Sequence, residues 1–195
     1  MPEFKSLLGM PFKGPQWVWK LLTGSVIILI PLVNIMCLGY FARCINSGQR
    51  GRRCLPEWWE WREYIWEGGA MVAIIFIYIM TGALIALLAV NIPGVGTLLA
   101  TLLGVLIVLV IPMALANYAL RYVFPDALLI IDLVRMITRV AGAYAAAFLV
   151  LLLIVSAAWV LLLAFPVLGL LSGLIIFYTG VIYSFMLGCM HREAL

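Results

Sequence analysis

The feature that most constrains this chain is a set of five long apolar stretches, residues 21–41, 69–90, 98–120, 141–165 and 170–188, none of which holds an Asp, Glu, Lys, Arg or His. A helix needs about 20 mainly apolar residues to cross the hydrocarbon core of a bilayer. A soluble fold could not hide this much apolar surface, because a small globule has too little interior. Composition agrees: 67% of the 195 residues are hydrophobic and 10% are charged, against about 25% charged in soluble domains. The expectation is an all-α fold: one polytopic membrane helical bundle over residues 1–195, with about five transmembrane helices.

Residues 1–20 read as an N-terminal arm in which Trp17, Trp19 and Lys20 form an interfacial anchor. The first apolar stretch is expected to be retained, since its end, GYFARC, lacks a small-x-small cleavage pattern. Pro31 near its middle and Asn34 one turn later leave two readings. One is a single kinked span, tolerated where neighbours satisfy the freed carbonyl; the other is a re-entrant pair of half-helices. Length favours the single span.

The polar segment that follows opens with Arg43, Arg50, Arg52 and Arg53 and runs into LPEWWEWREYIWEGG. With Pro56 at a first helical position, residues 55–67 place Glu57, Glu60, Glu63 and Glu67 on one face and Trp58, Trp59, Trp61, Ile65 and Trp66 on the other. That pattern predicts an interfacial amphipathic helix. Residues 124–140 predict a second one, with Asp132 and Arg135 as an i,i+3 pair.

A shift of 73 residues aligns Gly69 with Gly142, Ala73 with Ala146, Pro93 with Pro166 and Gly96 with Gly169. An apolar alphabet produces such matches cheaply, so the pattern raises an internal duplication without showing it. Charge gives orientation. With five spans the lysines of the arm lie on one side and every arginine from Arg43 to Arg192 on the other. The positive-inside rule puts the arginine-rich loops and the C-terminus in the cytoplasm of a multi-pass cell-membrane protein. A re-entrant first segment would bring the lysines to that side too, so the charge rule leans toward it.

The absence of ionisable groups from the apolar stretches lowers the expectation of a proton-coupled transporter. Asn34 and Asn117 are the strongest polar groups there; they could line a solute path, but the simpler role is interhelical hydrogen bonding. Cys44, Cys54, Cys189 and His191 supply zinc-ligand types in a spacing that matches no zinc module. No nucleophilic triad, phosphate loop or H-E-x-x-H is present. The expectation is therefore not an enzyme, with no cofactor, no metal and no nucleic acid. Membrane lipids are the expected partners, with a protein partner or a homo-oligomer as further options. Arg43, Arg50, Arg52 and Arg53 would meet anionic headgroups, and Trp58, Trp59, Trp61 and Trp66 the lipid interface.

The motifs PFKGPQWVWKLLTG, IPLVN, GY at Gly39 and Tyr40, and LPEW at Leu55 to Trp58 resemble an uncharacterised bacterial and archaeal family of multi-pass membrane proteins, catalogued as a domain of unknown function. The likeness runs through about Gly69, with a fainter echo in ALRYV at Ala119 to Val123. It implies a multi-helix membrane fold and no reaction, cofactor or substrate. A looser likeness to five-span Yip1-type proteins rests on span number and P-x-x-G turns. The expected function is a non-catalytic lipid- or protein-binding, membrane-organising protein; the alternative is a small-solute or lipid permease or channel, and a membrane-interface enzyme comes last.

Overall fold

The computed structural model describes residues 9–13, 16–52 and 54–195. Among them the chain forms seven α-helices: α1 (Trp17–Ile27), α2 (Ile35–Gln49), α3 (Trp61–Val90), α4 (Gly96–Arg121), α5 (Ile130–Arg139), α6 (Ala141–Ala164) and α7 (Gly169–Ala194). Short 3-10 turns cover Met10–Lys13, Phe124–Leu128 and Pro166–Leu168, and no strand occurs among the described residues. Four helices, α3, α4, α6 and α7, are long and apolar enough to cross a membrane.

Residues 21–41 do not form one long helix. A proline removes its own N–H and crowds the carbonyl four residues earlier. For Pro31 that carbonyl belongs to Ile27, the residue at which α1 stops. Leu32 then takes a left-handed backbone, φ 69°, and the chain restarts as α2. The two helices run in opposite directions along α7. Gly24 of α1 faces Phe177, while Ser25 and Leu29 meet Gly173 farther toward the start of α7. On α2, Phe41 lies on Gly180, and Ile45 and Gln49 lie on Gly188. The segment is a helical hairpin whose tip is residues 28–34, and both of its ends return to one place. Lys20 Nζ reaches the Leu55 carbonyl at 3.4 Å, and Trp58 Nε1–H donates to the Lys20 carbonyl at 3.1 Å.

Glycines let the hairpin seat deeply. A methyl at Gly39 would overlap the Tyr64 carbonyl, and one at Gly68 the Ile35 carbonyl, so α2 and α3 cross backbone to backbone. Gly48 and Gly188 do the same for α2 and α7. By contrast α3 and α4, joined by a turn in which Gly94 takes φ 82°, keep most of their length uncovered. Phe76, Leu84, Leu87, Leu88, Leu98, Leu102 and Leu106 are all exposed. Pro112 lies inside α4 and leaves the Val108 carbonyl without its helical donor. Beside it the Leu109 carbonyl accepts the Tyr144 hydroxyl of α6 at 2.6 Å, which ties the two long hairpins together at the bend.

Two boundaries differ from the sequence expectation. The helix expected over residues 55–67 is not a separate element: residues 55–60 are non-helical, and the helix that begins at Trp61 continues unbroken to Val90. The segment 124–140 divides into a 3-10 turn and α5. Its Asp132–Arg135 pair forms, at 3.5 Å, with both side chains largely in the open.

Candidate functional site

The charged end of the molecule holds two polar assemblies, one an open cleft and one fully buried. The cleft, of about 640 Å³, lies where α1, α2, the 50–60 loop, the start of α3 and the end of α4 converge. One wall is acidic. Glu60, Glu63 and Glu67 stand at spacings of three and four around the first turns of α3, and all three take hydrogen bonds from the single guanidinium of Arg43 on α2, with Glu67 Oε2 at 3.1 Å from Nε. The Arg43 guanidinium also lies over the Tyr64 ring, 4.5 Å from its centroid. Buried Lys20 also lines the cleft, and its Nζ pairs with Glu57 at 2.7 Å.

The lining is basic as well. Arg50 and Arg52, both exposed, belong to no ion pair among the described residues. Tyr122 also lines the cleft. It follows α4 in a left-handed conformation, φ 57°, a rare state for a residue other than glycine. Asn46 Nδ2 holds that helix end through the Ala119 carbonyl at 2.6 Å and the Leu120 carbonyl at 3.2 Å. Burial first, and the Glu67 carboxylate next, push the Tyr122 phenol above its ordinary range, while Arg43 and Arg50 act against them. The phenol therefore stays protonated and feels charge of both signs.

The second assembly is a latch across three helices. Asn117 Nδ2 donates to the Asp126 carbonyl at 2.7 Å, so its Oδ1 faces His191 Nε2 at 3.1 Å. Gln49 Nε2 donates to the Ala116 carbonyl at 2.6 Å and meets His191 Nδ1 at 3.1 Å. With an acceptor at Nε2 and a donor at Nδ1, the imidazole is neutral and carries its proton on Nε2. His191 is completely buried. Gln49 Oε1 is buried without a partner among the described residues. Nearby, Arg139 Nη1 donates to the Ala194 carbonyl at 2.6 Å and so caps the negative end of α7.

The residues singled out in the sequence are distributed unevenly. Arg50 and Arg52 line the cleft and belong to no ion pair among the described residues, Arg43 is committed to three glutamates, and Arg53 lies outside the described residues. Trp59, Trp61 and Trp66 are exposed, at 80%, 56% and 80%. Trp58 is not with them: it stacks on Tyr40, centroids 4.4 Å apart and planes 16° apart. It turns inward because it precedes the helix and is held by the Lys20 carbonyl. Asn117 is buried in the latch, whereas Asn34 is exposed at the hairpin tip.

The four zinc-ligand types are not assembled. No group of three or more His, Cys, Asp or Glu able to hold a metal occurs among the described residues. Cys44 is fully buried and Cys54 exposed, and both His191 nitrogens are engaged. Sequence reasoning missed Tyr122 and the partners of Asn117 in the latch. The ALRYV motif that carries Tyr122 was the only signal for the first.

Comparison with curated proteins and with solved structures finds no match, and nothing supports the likeness to Yip1-type proteins. The motif resemblance is upheld: a family model matches residues 23–177, which include most of the hairpin, every cleft-lining residue but Lys20, and the first three of the four long helices, and the chain belongs to the family described as protein of unknown function (DUF4013).

Proposed function

We propose that this chain is a multi-pass membrane protein, non-catalytic, that binds phospholipid headgroups at its charged end and organises the bilayer around it. The observation that carries the reading is the cleft in which Arg50 and Arg52 stand without ion-pair partners among the described residues. Free arginines near a membrane surface attract lipid phosphate by about 1 kcal/mol each. Tryptophans collect at headgroup level, and exposed Trp19, Trp59, Trp61 and Trp66 flank this end. The glutamates that might have suggested acid–base chemistry are engaged by Arg43 and Lys20.

In this reading α3, α4, α6 and α7 span the bilayer. The α1–α2 hairpin enters and leaves from the arginine-bearing face, which the positive-inside rule assigns to the cytoplasm. The exposed ridge of Ile130, Ile131 and Val134 on α5 would lie in the interface. A duplication finds mixed support: α3–α4 and α6–α7 are both long hairpins, but only the second has a short helix directly before it, since α2 ends at Gln49 and α3 begins at Trp61.

A permease called for a groove joining Asn34 to Asn117. Asn34 lies at the hairpin tip, and Asn117 spends its amide on His191 and Asp126, so lipid binding is the better-supported reading. Two measurements test it. Cysteines placed at Gln16 and Arg52, in a background without other cysteines, should both resist an impermeant reagent added outside intact cells. Mass spectrometry of lipids carried through purification should find phospholipid, retained several-fold less by an Arg50→Ala, Arg52→Ala variant. Equal retention by that variant would sink the proposal.

A further inference from the structure

The cleft is not simply basic; its charges are separated. Three carboxylates, Glu60, Glu63 and Glu67, share the one guanidinium of Arg43, so the cluster keeps an excess of negative charge, which Glu63 and Glu67 carry into the cleft lining. Lys20 and Glu57 cancel each other. Arg50 and Arg52 line the same cleft, belong to no ion pair among the described residues, and bring an excess of positive charge. The two excesses face one cavity and do not neutralise each other, because no ion pair joins Arg50 or Arg52 to any of these glutamates.

A purely anionic ligand would satisfy the arginines and be repelled by the acidic wall. A cation alone would do the reverse. A ligand with a phosphate at one end and an ammonium at the other satisfies both. Resting on the lipid reading above, we propose that the cleft selects a zwitterionic headgroup of the phosphoethanolamine kind, its phosphate toward Arg50 and Arg52 and its ammonium toward Glu63 and Glu67. An ammonium that still carries N–H groups donates hydrogen bonds to carboxylates, and a trimethylated one has none to give. The preference should therefore separate ethanolamine from choline headgroups. The open volume suits a whole headgroup rather than a bare phosphate, and Tyr122 lines the same cleft.

The test uses the full chain in nanodiscs of equimolar phosphatidylethanolamine, phosphatidylcholine and phosphatidylglycerol, with native mass spectrometry of the lipids retained after mild extraction. The ethanolamine lipid should exceed each of the others by roughly fivefold, the ratio for about 1 kcal/mol. Glu63→Gln with Glu67→Gln should abolish that preference, and Arg50→Ala with Arg52→Ala should weaken retention of all three lipids. Glu60→Gln, which shares Arg43 but does not line the cleft, should keep the preference and so controls for damage to the acidic cluster. Enrichment of phosphatidylglycerol, lost in the arginine variant and untouched by the glutamine variant, would overturn the zwitterion and leave the headgroup reading standing. No discrimination among lipids, with no effect of the arginine variant, would overturn both. Displacement of retained lipid by free phosphoethanolamine at comparable concentration would uphold the chemistry and show that the ligand also comes from solution.

Discussion

The first hairpin, α1–α2, and the second, α3–α4, are equally free of charge in their apolar parts, and they behave in opposite ways. The second is built for length: its helices have 30 and 26 residues, and most of their outward side chains touch no other part of the protein. The first is built for contact: its helices have 11 and 15 residues and are notched by glycines against α3 and α7. It also ends in side chains that hydrogen-bond other helices. Apolarity alone therefore does not say whether a segment faces lipid or protein. Small residues at contact positions and a helix breaker near the middle do.

The largest effect expected from this contrast comes from glycine. Gly68→Leu should drive a side chain into the Ile35 carbonyl and separate the hairpin from α3, at a cost of about 3 kcal/mol, the upper part of the usual overpacking range. Gly104→Leu, in the second hairpin with nothing within 4 Å, should be neutral or stabilise the helix by up to about 1 kcal/mol. Thermal midpoints in detergent by dye-free fluorescence would compare them, and equal losses would erase the distinction between the two hairpins.

The latch comes next. His191→Leu leaves buried Gln49 and Asn117 groups without partners, which should cost about 1–3 kcal/mol. His191→Asn, able to replace one bond, should recover part of it. Identical midpoints for all three proteins would show that Gln49 and Asn117 find other partners. A smaller effect belongs to Trp58. Trp58→Phe keeps the stack on Tyr40 and loses the bond to the Lys20 carbonyl, so about 1 kcal/mol should be lost. Trp66→Phe should change stability little, while quenching by brominated lipid should fall with Trp66 and not with Trp58. The smallest effect is that of Asp132→Asn, since its exposed pair with Arg135 contributes under about 0.5 kcal/mol. A larger loss would mean that α5 is held by charge rather than by buried Leu133.

Much of this architecture was legible in the residues. The four long helices follow the uncharged stretches, and the turns at Pro93 and Pro166 fall where the prolines stand. The first stretch was ambiguous because 21 residues suffice for a span; Pro31 and the charge rule both pointed to the hairpin, and length outweighed them. The tryptophan-rich segment was misjudged at its start. A helical wheel assumes a helix from Pro56 onward, and tertiary hydrogen bonds from Trp58 and Lys20 keep residues 55–60 out of one. Of the latch only Asn117 was legible, as an interhelical hydrogen-bonding group; its partners were not, because Gln49 and His191 are 142 positions apart and no local pattern marks either as buried.

That separation has a consequence for biogenesis. The site that receives α1 is made by α7, and its notch at Gly173 does not exist until more than a hundred residues after the hairpin have been synthesised. The second helix of the hairpin, α2, can settle earlier, on α3, where Gly39 and Gly68 bring the two backbones together. Assembly of the hairpin is therefore completed in two steps, and a chain that stops before Gly173 would keep the neighbour of α2 and lack the one of α1.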